Sequence, residues 1–90
     1  MQWTIKYTQT ALKGLASVNK KSVDQIRNYL EVKIASSDNP RVYGKALSNN
    51  LAGLWRYRIG DYRIIVEIQD NKFTILAVKI GHRSKIYGGH

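Results

Sequence analysis

The chain has 90 residues, 43% of them hydrophobic, and its 15 lysines and arginines against 6 acidic residues give a formal net charge of +9. This composition is too apolar for a disordered basic tail. The absence of cysteine excludes disulfides and thiolate zinc sites, and no apolar run reaches the roughly 18 residues of a membrane span. We therefore expect one cytoplasmic domain over residues 1–90, without a signal peptide, whose positive charge attracts phosphates or acidic protein surfaces.

The first half of the chain predicts one strand followed by two helices. Residues 2–7 alternate between polar and apolar side chains, as in a strand that is buried on one face. Thr8 and Thr10 are candidate N-caps of a first helix, and Ser17 or Asn19 is the candidate cap of a second. The predicted apolar stripes are Ala11, Leu12, Leu15 and Ala16 in the first helix and Val23, Ile26, Leu30 and Ile34 in the second.

Residues 36–40, SSDNP, end the second helix because Pro40 lacks a backbone donor and disfavours helix at the residue before it. Irregular chain is predicted from there to about Gly53. Connections of this length are usually functional or are ordered by a partner. Lys45 is the candidate basic contact of this connection and Leu47 its candidate apolar anchor, with a plain surface loop as the alternative.

The second half predicts an antiparallel meander. Strands over Leu54–Ile59, Tyr62–Ile68 and Lys72–Ile80 are separated by the turn-forming pairs Gly60-Asp61 and Asp70-Asn71. The resulting order β-α-α-β-β-β predicts an α+β fold, in which a two-helix hairpin packs on one face of an antiparallel sheet. In the last strand, alternation assigns one face to Thr74, Leu76, Val78 and Ile80.

Three arginines fall on the polar side of this meander. Arg56 and Arg58 share one face of their strand, and pairing across the turn sets Arg58 opposite Arg63. Like charges that oppose each other directly on a sheet are unfavourable unless an anion lies between them, so this group is a candidate phosphate cradle. Salt bridges to nearby acids are the alternative interpretation.

Residues 81–87, GHRSKIY, add groups that carry protons. His82 and Tyr87 are the candidates for proton transfer, with a surface histidine and an apolar lid as the alternative roles. RNA cleavage without a metal needs little besides positive charge and proton transfer, because the 2′-OH of the substrate is its own nucleophile. The six dispersed acids predict no metal site, and no glycine-rich phosphate loop or nucleophile elbow is present.

Two stretches, LAGLWRYRIGDYRII at 51–65 and VKIGHRSKIY at 78–87, resemble the RelE branch of the RelE/ParE toxins of bacterial type II toxin–antitoxin systems. Length, element order and basic charge agree with that family across nearly the whole chain. The resemblance implies a RelE-like microbial RNase fold and a ribosome-dependent endoribonuclease that cuts mRNA in the A site and so inhibits translation. The partners it implies are the ribosome, mRNA and an acidic RelB-like antitoxin, without a small-molecule cofactor.

The resemblance also assigns roles to individual residues. Arg63 matches the arginine that contacts the scissile phosphate, Arg83 the arginine linked to transition-state charge or to protonation of the leaving oxygen, and Tyr87 the tyrosine that stacks on or activates the substrate. Arg56 and Arg58 stand where well-studied members have lysines, and because arginine stays charged we expect them to clamp phosphate rather than act as bases. The implied site comprises Arg58, Arg63, His82, Arg83 and Tyr87 for catalysis, with His82 as a hypothetical proton carrier, and Lys45, Arg56 and Lys85 for RNA binding.

Two other functions fit the same scaffold or the same charge. A ParE-like toxin would inhibit DNA gyrase without catalysis, and it would need none of Arg63, Arg83 and Tyr87. A plain RNA-binding module would bind in a salt-dependent manner through phosphate contacts and would release no product.

Overall fold

The computed structural model describes residues 2–86, in which five strands form one sheet and two helices pack against one of its faces. Along the chain the elements are β1 Thr4–Tyr7, α1 Gln9–Ala16, α2 Lys20–Asn28 with a π-helical continuation Tyr29–Ile34, β2 Lys45–Ala46, β3 Trp55–Ile59, β4 Tyr62–Gln69 and β5 Thr74–His82. Across the sheet the strands lie in the order β1-β5-β4-β3-β2. Neither helix of this part of the chain is long and apolar enough to cross a membrane.

The predicted α+β class and the order of the main elements are confirmed, and the sheet differs from the prediction in two ways. β1 runs parallel to β5, with Thr4 beside Thr74 and Tyr7 beside Ala77, so the sheet is mixed and the fully antiparallel prediction is wrong for this pair. Alternation of side chains shows which side of a strand is buried. It shows neither which strand lies beside it nor whether the two strands run parallel. The short β2 lies inside the predicted irregular connection, because its two residues are too few to show a period.

Side-chain caps fix where the two helices begin. The Thr8 hydroxyl oxygen accepts a hydrogen bond from the backbone N–H of Ala11, which selects Thr8 over Thr10 as the cap of α1. The Asn19 side-chain oxygen accepts from the N–H of Ser22, which selects Asn19 over Ser17 as the cap of α2. Each cap satisfies a donor that has no partner within its own helix.

The hydrophobic core lies between the helices and the sheet. Gly14 lets α1 lie directly on β5, because a Cβ at this position would overlap the carbonyl oxygen of Ile80. Only a narrow strip of α1 is therefore buried, and the predicted stripe is wrong at Leu12, which is 48% exposed, and at Ala16, which is exposed as well. The predicted stripe of α2 is confirmed, with Ile26, Leu30 and Ile34 buried and Val23 packed against the core.

A bulge in β5 changes which of its side chains face the core. The register between β4 and β5 shifts at Ile65 and Val66, whose partners are Lys79 and Ala77, so Val78 is the extra residue. The core face therefore carries Ile75, Ala77 and Ile80, and the prediction that Thr74, Leu76 and Val78 share a face with Ile80 is wrong. Simple alternation fails here because one inserted residue exchanges the two faces of a strand.

A buried tyrosine ties β3 to the connection before it. Tyr57 is fully buried and its hydroxyl donates to the carbonyl oxygen of Pro40 at 2.8 Å, while burial raises the pKa of this phenol and keeps it neutral. Because Tyr57→Phe leaves a buried carbonyl without its partner, we expect it to lower the free energy of unfolding by about 1–2 kcal/mol. Thermal and urea denaturation measure this loss, and Tyr43→Phe, at a tyrosine that is 41% exposed, is the control. Equal stabilities of the two variants would contradict the assignment.

Candidate nucleic-acid interface

The sheet face opposite the helices carries a group of cationic side chains. Because Ile64 and Val66 point into the core, alternation along β4 turns Arg63 to the other face. Arg58 of β3 lies directly opposite Arg63, as the sequence predicted. We call this group the arginine face; its members are Lys45, Arg56, Arg58, Arg63 and Lys79.

The neighbouring strands extend the arginine face on both sides. Lys45 in β2 is the cross-strand partner of Arg56, and Lys79 in β5 is the partner of Ile65. Directly opposed side chains of antiparallel strands share a face, so both lysines join the arginines. The sequence interpretation did not single out Lys79, although its position next to the core residue Ile80 was a sufficient signal.

The turn between β3 and β4 holds Arg63 in place. Nη1 of Arg63 donates to the carbonyl oxygens of Gly60 and Tyr62, both at 3.1 Å, and the residue is only 9% exposed. Gly60 has a φ of 57°, a left-handed conformation that glycine adopts without steric cost and that the tight turn requires. The turn thus presents a guanidinium in a fixed position at the surface of the sheet.

Arg83 lies beside the same turn. Its backbone N–H donates to the carbonyl oxygen of Asp61 at 2.8 Å, which extends the pairing of β4 and β5 by one residue. Nε of Arg83 is 3.9 Å from a carboxylate oxygen of Asp61, with both side chains largely exposed. A pair of this length in solvent is weak, so the position of Arg83 beside the turn depends mainly on the backbone bond.

His82 lies on the other side of the sheet. It is the cross-strand partner of Tyr62, and the two rings meet edge to face with centroids 5.7 Å apart on the side that carries the helices. Nδ1 of His82 accepts the backbone N–H of Ser84 at 3.1 Å and lies 2.8 Å from the Ser84 hydroxyl oxygen. Because Nδ1 is an acceptor, the neutral ring carries its proton on Nε2. The structure therefore does not bring His82 together with the arginine face.

The remaining predicted site residues follow β5. The backbone N–H groups of Lys85 and Ile86 both donate to the carbonyl oxygen of His82, at 2.8 and 3.0 Å, and form a tight turn. The Lys85 side chain on this turn is exposed. Tyr87, predicted to contact the substrate, lies outside the described residues.

Two arginines away from the arginine face are engaged in close ion pairs. Arg41 donates to both carboxylate oxygens of Asp70, at 2.9 and 2.6 Å, and thereby holds the pKa of Asp70 below its usual range. Nε of Arg27 lies 2.9 Å from a carboxylate oxygen of Glu31 and likewise lowers the pKa of that carboxyl. These contacts give Arg41 and Arg27 a structural role. Within residues 2–86, no three His, Cys, Asp or Glu side chains cluster in a way that would hold a metal ion.

Comparison with known proteins gives one consistent group of relatives. A family model described as the ParE toxin of the type II toxin–antitoxin system parDE matches residues 5–87. Toxin RelG of Mycobacterium tuberculosis is 30% identical over 90 residues, which cover 97% of this chain and 98% of the relative. Toxin RelE of the same organism is 40% identical over 50 residues, which cover 56% of this chain and 52% of that protein.

Solved structures with the same fold come from the same group. The toxin–antitoxin complex RelBE2 from Mycobacterium tuberculosis contains a chain that matches with a TM-score of 0.85 and 25% identity, over 94% of this chain and 95% of that one. The isolated RelE toxin of Escherichia coli matches with a TM-score of 0.72 over 94% of this chain and 90% of that one, and at 18% identity it supports the fold alone.

Proposed function

Since the chain belongs to the RelE/ParE superfamily of type II toxins, we propose that it is an endoribonuclease that cleaves mRNA in the ribosomal A site of a bacterial cell and thereby inhibits translation. The observation that supports this proposal best is the pair Arg58 and Arg63, which lie directly opposite each other on the sheet face that α1 and α2 leave uncovered. A phosphate between two guanidinium groups at cross-strand spacing can accept charge-assisted hydrogen bonds from both of them.

The proposed reaction is attack of a ribose 2′-oxygen on the neighbouring phosphorus. The 2′-oxygen loses its proton and bonds to phosphorus, the bond to the 5′-oxygen of the next nucleotide breaks, and that oxygen takes up a proton. The products are a 2′,3′-cyclic phosphate and a 5′-hydroxyl. The positive charges of Arg58 and Arg63 stabilise the negative charge that develops on the phosphorane oxygens, as the donors of an oxyanion hole do.

The other cations hold and align the substrate. Lys45, Arg56 and Lys79 are spread over β2, β3 and β5, so they contact phosphates that flank the scissile one. Arg83 sits at the turn that fixes Arg63, which suits it to the charge of the departing 5′-oxygen. With the cations assigned to the phosphates and to the leaving oxygen, the candidates for removing the proton from the 2′-OH are Tyr87 and His82.

Two variants separate these candidates for proton transfer. Because the imidazole of His82 faces the helices, we expect Tyr87→Phe to lose about 10²–10⁴-fold in cleavage rate and His82→Gln to lose less than about tenfold. Single-turnover cleavage on programmed ribosomes measures both rates. A His82→Gln variant that is slowed at least as much as Tyr87→Phe would return the proton-transfer role to His82.

We further propose an acidic antitoxin as the partner that keeps this chain inactive. The similar structures include RelB–RelE complexes from Mycobacterium tuberculosis and Methanococcus jannaschii. A net charge of +9 favours an acidic segment, and such a segment bound across the arginine face would exclude RNA. Expression of the chain alone should arrest growth, whereas co-expression with its acidic partner should restore growth and yield a stable complex.

The cleavage proposal is tested with the full chain, purified ribosomes and a defined mRNA. Programmed ribosomes with an empty A site should yield new mRNA 5′ ends in the A-site codon, together with a 2′,3′-cyclic phosphate on the upstream fragment. Cleavage of free mRNA at the same rate would contradict ribosome dependence. Intact mRNA together with inhibited DNA supercoiling by gyrase would identify a ParE-like toxin, and RNA binding without product would identify a binding module.

A further inference from the structure

A pocket of about 360 Å³ lies at the end of β5, beside the arginine face, and Lys79 of that face is one of the residues that line it. Its walls come from the loop between α1 and α2, from the first residue of β4 and from the end of β5 with the turn that follows. This volume is at the lower end of the range of about 300–1,000 Å³ that is common for ligand pockets. The pocket therefore has room for a group as small as one nucleotide.

The edge of β5 supplies backbone donors to this pocket. β1 stops where Tyr7 lies beside Ala77, and within residues 2–86 no strand pairs with the later part of β5 on that side. Because the N–H of Arg83 points to Asp61 on the β4 side, alternation turns the N–H groups of Ile80 and His82 outward. Both of these residues line the pocket.

The side chains around the pocket favour an anion. Lys85 contributes a positive charge to the pocket. His82 contributes an N–H donor at Nε2, because its Nδ1 accepts the backbone N–H of Ser84. None of the described residues that line the pocket is acidic. Val18 and Ile86 add apolar walls, next to which the attraction between an anion and these donors is stronger than in bulk water.

From this combination of donors, we propose that the pocket binds a backbone phosphate of RNA, as a second phosphate site beside the arginine face. The inference rests on the proposed function, because it takes RNA as the ligand. Gly81 is paired with Arg63 on the arginine face, whereas the ring of its neighbour His82 contacts Tyr62 on the side of the helices, and both residues line the pocket. The two sites thus meet at one strand end, and a single RNA strand that passes around this end has phosphates on both sides of the sheet.

The proposal is tested by nuclear magnetic resonance on the full chain, without ribosomes. The dinucleotide ApA, inorganic phosphate and adenosine are titrated separately, and the backbone amide signals are followed. ApA and inorganic phosphate should shift the amide signals of Ile80 and His82, while adenosine, which lacks a phosphate, should not. Lys85→Met should weaken ApA binding at least fivefold, whereas the control Lys13→Met, which removes a lysine from the exposed side of α1, should bind as the wild type does.

Three results would overturn the proposal. Binding of adenosine as tight as that of ApA would show that the phosphate is not recognised. If inorganic phosphate binds and ApA does not, the pocket is a site for free phosphate instead of RNA. If Lys85→Met binds ApA as tightly as the wild type does, ApA does not bind in the pocket. Because the titration contains no ribosome and measures no cleavage, it fails or succeeds independently of the cleavage experiment.

Discussion

Replacement of Arg63 by alanine is expected to slow mRNA cleavage by about 10²–10³-fold, which corresponds to a loss of about 2.7–4 kcal/mol of transition-state stabilisation. Nη1 of Arg63 donates to the carbonyl oxygens of Gly60 and Tyr62 and the residue is 9% exposed, so in the proposed reaction its guanidinium would meet the growing negative charge without reorganisation. Single-turnover cleavage on programmed ribosomes measures the effect, and circular dichroism verifies that the variant is folded.

Two further variants show whether position or charge matters. Arg27→Ala removes one positive charge from α2, on the side of the molecule that carries the helices, and should cleave at nearly the wild-type rate. Arg63→Lys keeps the charge but loses the planar fork, so its rate should lie between those of the wild type and Arg63→Ala. Equal losses in Arg27→Ala and Arg63→Ala would reduce the role of Arg63 to general electrostatic attraction, and wild-type cleavage by Arg63→Ala would remove it from the site.

The placement of Arg58 opposite Arg63 was predictable from sequence because local rules determine it. A two-residue turn at Gly60-Asp61 sets the register of the strands on either side, and alternation then sets the face of each side chain. The same local rules identified the buried stripe of α2 and narrowed the cap of α1 to Thr8 or Thr10. Each of these features depends on residues that are close together along the chain.

The features that the sequence did not reveal depend on contacts between distant segments. The parallel pairing of β1 with β5 joins residues about 70 positions apart, and no local pattern encodes that choice. The bulge at Val78 likewise follows from the way β5 meets β4, since Val78 itself is a favourable residue for a regular strand. The position of His82 was accessible nonetheless, because it stands two residues after the core residue Ile80 and so shares its face.

The second large effect, a loss of stability, is expected on substitution of Gly14, because α1 contacts β5 directly at this residue. In an exposed helix a change from glycine to alanine normally stabilises by about 1 kcal/mol. Here the new Cβ would overlap the backbone carbonyl oxygen of Ile80, which no side-chain rotation relieves. We therefore expect Gly14→Ala to lower the free energy of unfolding by about 3 kcal/mol, as strong overpacking does.

Thermal denaturation measures this loss, which corresponds to a decrease of more than about 10 °C in melting temperature for a chain of this size. Lys13→Ala is the matched control, because it introduces alanine at the neighbouring exposed position of α1 and should leave the melting temperature nearly unchanged. Since Ile80 directly precedes Gly81 and His82, a displaced α1 should also alter the amide signals of the pocket at the end of β5 more than those of β3. A Gly14→Ala variant as stable as the wild type would show that α1 moves away from β5 at little cost, and that the close contact does not hold this end of the sheet in place.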